Sequence, residues 1–449
     1  MSHAEKVSKG IRRDCLRGGV FRPRLPGRGA AWLGGMTPAD HIDAHAGELL
    51  STLRDLVRVP SVNPPGERYD EITARLTAEL RAAGLRTRRL RVPAASAKKH
   101  LPAEEAANHP RYNVLGLLPV RGARRTIHFN AHYDVVPVSG KWRHGDAFSG
   151  ATDRGWIYGR GTADMKGSMA SLLAALRALR ATGVAPLMNV EVSFTADEET
   201  DSALGAEWLV KNAPLKPDYA VVMEGGEGAE VCCGHNGVVW LEVTVHGKAA
   251  HGSLPHLGVN ALEQMSALVL ALEEHKRELT TRVFRTPAGA EMRPTLNVGG
   301  VFSSGEGGKI NTVPALARFS IDRRVLPMET AAGAERELRA FLAAAVRRIP
   351  GCRITVAKVS ENHPCYTPPE HPFFTAMADC VTTVRRRPTR FELSRGFNDM
   401  HFFAHVLKIP TLGYGPGGDN CHAVDERVSV KALLASAKIY ARLLTTFAG

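Results

Sequence analysis

Apolar residues recur at helical spacing over 40–56, and Ser61-Val-Asn-Pro-Pro-Gly66 then breaks the chain. The pattern predicts a second helix over 69–83, a strand over 86–92 and a polar loop over 93–110. Strands over 113–118 and 126–130 follow, then a helix over 166–182, a strand over 188–195, a helix over 202–211 and a strand over 219–223. Strand and helix alternate, as in an α/β domain built on a mostly parallel sheet. From about residue 237 the rhythm changes. A strand over 238–246 precedes a helix over 260–279 that carries Leu262, Met265, Leu268 and Leu272 on one face. Strands over 295–302 and 316–325, a helix over 331–349 and a strand over 353–359 complete the order βαββαβ, that of a ferredoxin-like sandwich. After 364–372 the chain returns to the first domain and ends in a helix over 431–444. The expected organisation is a main domain of 36–236 and 361–449 with an inserted domain of 237–360.

At 449 residues the chain is long enough for two separate cores, and 44% hydrophobic with 23% charged residues is ordinary for a globular protein. No apolar run reaches about 18 residues, so no membrane span is expected. Seven cysteines without C-x-x-C spacing suggest a reducing compartment, hence the cytoplasm. The net charge of +13 raises the question of nucleic acid. Residues 1–35, however, hold eight lysines and arginines against two acidic residues, and the remaining excess is dispersed. A solvated surface and a disordered basic tail are expected, with no nucleic-acid or membrane partner.

Candidate chemistry lies in five places. His132 and Asp134 follow one strand, and Asp164 lies in Gly159-Arg-Gly-Thr-Ala-Asp164-Met-Lys-Gly167. Glu198 and Glu199 follow another strand, Glu224 precedes two glycines, and His422 lies in a glycine-rich segment running on to Glu426. Each has a bland reading: a polar strand end, an N-cap at Asp164, a solvated acidic pair, a surface histidine. Together they form a set of imidazoles and carboxylates without thiolates, which suits zinc, cobalt or manganese. A histidine two residues before a carboxylate lets one bind metal while the other steadies it. Of two adjacent glutamates, one can bind metal while the other takes a proton from water. No G-x-S-x-G elbow is present for a serine mechanism.

These segments resemble the dizinc metallopeptidase and aminoacylase family that includes acetylornithine deacetylase, succinyl-diaminopimelate desuccinylase, aminoacylase and glutamate carboxypeptidase. The likeness runs from about Leu49 onward and is carried by Ser61–Gly66, His132-x-Asp134, Gly159–Gly167, Glu198-Glu199 and His422. It implies two divalent ions, zinc foremost, bridged by Asp164. His132 and Glu224 would complete one site, and Glu199 and His422 the other. Asp134 would orient His132, and Glu198 would be base and then acid as a metal-bridging hydroxide attacks the amide. The inserted domain would be a lid and dimerisation domain. From it His251 would reach a partner's site to stabilise the oxyanion. Asn311 and Arg324 would grip a substrate carboxylate, and Gly396 would lie in a substrate loop. Arg323 adjoins Arg324, so the register there admits a shift of one. The resemblance thus implies a homodimeric, cytoplasmic hydrolase that removes the acyl group from an N-acyl amino acid. Glu at position 224, where many peptidases of the family carry Asp, tilts the choice that way. A dipeptidase or carboxypeptidase with the same dimetal centre is the alternative, and an inactive metal-binding or nucleic-acid-binding scaffold the remote one.

Overall fold

The first helical pattern is interrupted where a single helix is expected. In the computed structural model, which describes residues 35–225, 229–287, 289–305 and 308–449, it is split into α1 (Pro38–Ala44) and α2 (Ala46–Val57). At the junction His45 leaves helical geometry, and its ring Nδ1 lies 2.9 Å from the His41 carbonyl. A capping box starts α1 two residues early: Thr37 Oγ1 accepts from the Asp40 amide, and Asp40 accepts from the Thr37 amide. Residues 1–34 of the basic tail lie outside the described residues.

The described chain forms two compact units. One comprises the chain up to Cys233 with Thr367–Phe391 and Asn398–Gly449; the other comprises Gly234–Tyr366 and Glu392–Phe397. In the first, α3 (Tyr69–Ala82) packs on β1 (Arg86–Arg91) and β2 (Tyr112–Leu118). Then come β3 (Thr126–His132), α4 (Gly167–Thr182), β4 (Asn189–Thr195), α5 (Ala206–Asn212), β5 (Tyr219–Val222) and β6 (Glu230–His235), whose last two residues begin the second unit. The sheet order is β1-β2-β4-β3-β5, then the late strand Thr411–Gly413, then β6. The expected parallel sheet occupies the centre, where β4, β3, β5 and Thr411–Gly413 run together; the outer pairs are antiparallel, so the whole sheet is mixed. Helix α4 is apolar nearly all round because it is covered by α1, α2 and the helix Val430–Thr446. Leu172, Leu173, Leu176 and Leu179 are each at most 2% exposed, and burial of such a side chain contributes roughly 1.5–3 kcal/mol.

Helix α5 begins four residues later than the periodicity predicts. Ser202 adopts φ +57°, and its amide donates to the Asp197 carbonyl at 2.7 Å, so the intervening residues close a loop.

The second unit runs β7 (Gly237–His246), α6 (Ala261–Leu279), β8 (Thr295–Ser303), β9 (Leu316–Val325), α7 (Ala331–Arg348) and β10 (Ile354–Asn362). Its antiparallel sheet has the order β8-β9-β7-β10. Strand alternation puts Val239, Leu241, Val243 and Val245 of β7, with Phe319 and Ile321 of β9, against Leu268 and Leu272 of α6 and Leu338 and Leu342 of α7.

Candidate metal centre

Parallel neighbours end on the same edge of a sheet, where the loops that follow them converge. His132 is the last residue of β3, Glu198 and Glu199 come just after β4, and Glu224 comes just after β5. The strand Thr411–Gly413, parallel to β5, leads into the loop that carries His422. Asp164 comes from the turn Thr162–Lys166 ahead of α4. That turn needs glycine before it: Gly161 has φ +84°, and a Cβ there would lie 2.6 Å from Val135 Cγ1.

Four of the five predicted donors meet. His132 Nε2 lies 3.0 Å from Asp164 Oδ1, and His422 Nε2 lies 3.2 Å from Asp164 Oδ2 and 3.2 Å from Glu199 Oε2. One donor atom each from His132, Asp164 and Glu199 falls within 4.8 Å of the others. The fifth, Glu224, is coupled to them by charge, and its Oε2 is buried with no hydrogen-bond partner. Glu198 Oε2 lies 3.9 Å from His132 Nε2.

The electrostatics follow from burial and crowding. Burial works against the charge on Asp164, yet the two imidazoles it faces hold its carboxyl well below the usual range. Burial, then the charge of Glu224, pushes the Glu198 carboxyl well above its ordinary value. Burial, then Asp164, raises Glu224 to about 8. Hydrogen bonds to Asp164 and Glu199 raise His422 to about 10. An orphaned buried carboxylate oxygen beside imidazoles and further carboxylates lacks positive charge, and divalent cations supply it. The donor group His132, Asp164 and Glu199 fits such an ion.

Asp134 lies behind this set. The His132 ring Nδ1 is 3.1 Å from the Asp134 carbonyl and 3.5 Å from its carboxylate. The same carboxylate accepts the amides of Glu198 and Glu199, both at 3.2 Å. Glu426, to which neither its motif nor its spacing gives a role, holds the Asp164 turn. Its carboxylate accepts the amides of Ala163 at 2.9 Å and Asp164 at 3.1 Å, and pairs with buried Arg160 at 2.6 Å. The only signal was its place four residues after His422.

The remaining predicted residues belong to the second unit. His251 is exposed, with Nδ1 2.7 Å from Ser253 Oγ, and it pairs in register with Thr312, next to Asn311. The Asn311 carbonyl accepts the Gly252 amide at 2.7 Å. Arg324 is half-buried and donates to Asp322 at 3.0 Å, whereas Arg323 is buried and pairs with Glu329 at 2.7 Å. Gly396 is exposed, and its amide donates to Ser394 Oγ at 3.2 Å.

The sequence model of peptidase family M20/M25/M40 matches residues 128–446. The chain belongs to this family. Succinyl-diaminopimelate desuccinylase of Afipia carboxidovorans is 29% identical over 413 residues, covering 89% of this chain and 98% of that protein. Acetylornithine deacetylase of Vibrio atlanticus is 32% identical over 302 residues, covering 66% and 75%. Among solved structures, the M20 family metallo-carboxypeptidase Sso-CP2 from Sulfolobus solfataricus has the same fold, with a TM-score of 0.70 at 22% identity over 89% of this chain and 98% of the other. Like its family, the chain is a metal-dependent hydrolase of amides. Among the described residues no helix is long and apolar enough to cross a membrane.

Proposed function

We propose that this hydrolase removes the acyl group from an N-acyl amino acid or a related small linear amide, with two divalent ions, zinc by preference. The observation that carries this reading is Glu224: a half-buried glutamate, not an aspartate, whose buried Oε2 is orphaned beside the His132 and Asp164 charges. The relatives named as a desuccinylase and a deacetylase support it. Asp164 would bridge the ions, His132 and Glu224 would hold one, and Glu199 and His422 the other. Two ions bound there would polarise the scissile carbonyl and acidify water.

The chain's own residues handle the protons. His132 is turned by the Asp134 carbonyl at its Nδ1, which leaves Nε2 facing Asp164. Of the two carboxylates not assigned as ligands, Asp134 is taken up by the Glu198 and Glu199 amides, which leaves Glu198 free to act. Its raised proton affinity suits it to take a proton at its carboxylate from the attacking water and pass it to the leaving amine. We assign His251 to the oxyanion in a homodimer formed through the second unit, and Asn311 and Arg324 to the substrate carboxylate. Gly396 belongs to the substrate loop, and the enzyme to the cytoplasm. The support for Arg324 over Arg323 is local, since Arg323 is already buried against Glu329.

The test is amine release from N-acetyl, N-succinyl and N-formyl amino acids and from dipeptides, with zinc- or cobalt-loaded protein. Chelator-sensitive turnover of acyl amino acids is expected. Turnover of dipeptides alone would replace the deacylase with a peptidase.

A further inference from the structure

The proline-rich segment Ser61–Gly66 brings one side chain into the interior behind the donor set. Asn63 is 1% exposed, and its Nδ2 faces three acceptors: Asp134 Oδ2 at 3.0 Å, Asp197 Oδ1 at 3.3 Å and Thr200 Oγ1 at 2.8 Å. These acceptors have different duties. Asp134 backs His132 and takes the amides of Glu198 and Glu199. Asp197 and Thr200 bracket that glutamate pair on either side, and Asp197 adopts φ +59°. Asp197 is itself anchored, by the Arg111 guanidinium at 2.9 Å and the Tyr69 hydroxyl at 2.9 Å. Arg111 is wholly buried and uses its remaining donors on the Pro65 and His109 carbonyls and on Glu105. One carboxamide therefore ties the support of a histidine donor to the turn that carries Glu198.

Two carboxylates directed at one buried point repel each other unless a donor stands between them. A carboxamide is the neutral group that supplies two N–H donors without adding charge. We propose that Asn63 is a positioning residue, which sets the Glu198 carboxylate against His132 and Asp164 by holding Asp134, Asp197 and Thr200 in one register. This rests on the assignment of Glu198 as the base. Asn63 touches neither substrate nor reacting atoms in this role, so its loss should act on turnover and leave substrate affinity alone.

The experiment uses the full metal-loaded chain and the acyl amino acid that gives the best turnover, with Glu198→Ala as reference. Asn63→Ala is expected to lower kcat about 100-fold, the scale of a misplaced catalytic group. KM should stay within about twofold, and two metal ions per chain should be retained. Because Asn63 is buried and its variant could misfold, Thr200→Val and Thr200→Ser form a second arm at an exposed position. Valine keeps the shape and loses the acceptor, so kcat should fall about tenfold at constant KM; serine should restore it. Normal kcat in Asn63→Ala, or equal kcat in the two Thr200 variants, overturns the positioning role while Glu198→Ala remains inactive. An active Glu198→Ala overturns instead the reading on which it rests.

Discussion

Glu224 and His422 both carry a proton at neutral pH in the metal-free chain, since burial lifts the first to about 8 and two carboxylates lift the second to about 10. A metal ion binds the deprotonated forms and must expel those protons. Each raised pKa therefore weakens metal binding below it and stops doing so above it. Affinity for zinc should climb as pH rises from 6 toward 8, with protons released on binding. Calorimetry in buffers of different ionisation heat checks this; a heat independent of buffer would contradict the protonated Glu224. Glu198 should behave differently, because it is spared from ligation. Glu198→Ala should lose turnover by several orders of magnitude and keep both metal ions, read by activity and by metal analysis of the same sample. The donors themselves were legible, since histidine and carboxylates after apolar strands have few other reasons to recur. The groups that hold them were not. Asn63 meets Asp197 across 134 positions of chain, and Glu426 takes the Ala163 and Asp164 amides across 263 and 262, and no local spacing encodes such pairs.

At the scale of elements, the turn between Gly161 and α4 depends on a contact made by a distant loop. Removing the Glu426 carboxylate strands the Ala163 and Asp164 amides and leaves the Arg160 charge buried without its partner. Loss of one member of such a pair costs about 3–5 kcal/mol. Glu426→Ala should therefore show a lower urea midpoint and weaker metal retention, whereas Glu426→Gln should recover part of both. Stability equal to the parent would show that the turn stands without its clamp. Elements with long periodic faces, such as α6 and α7, were readable because one apolar stripe fixes each. Short ones were not: Thr411–Gly413 and β6 give too few residues for a period to declare itself. The break at His45 escaped for another reason, since histidine is neutral toward helix and only its ring contact reveals the kink.

The molecule as a whole is a chain whose second unit interrupts the first. If His251 serves a partner's site, a mixture of His251→Ala and Glu198→Ala proteins should regain activity through heterodimers that pair one intact centre with one intact histidine. Absence of recovery after demonstrated subunit exchange would confine His251 to its own subunit. Deleting residues 1–35 should leave turnover and the thermal midpoint unchanged, and a drop in either would give the basic stretch a role. The insertion also has a consequence for biosynthesis. Four of the five proposed metal donors, from His132 to Glu224, precede the interrupting unit, and His422 follows it. On that assignment a nascent chain would display an acidic half-site, rich in carboxylates and short of its last imidazole, for as long as the ribosome takes to make the intervening residues. Full metal occupancy would then wait until the two distant stretches have found each other, so a loaded molecule would be one whose assembly has already been proofread.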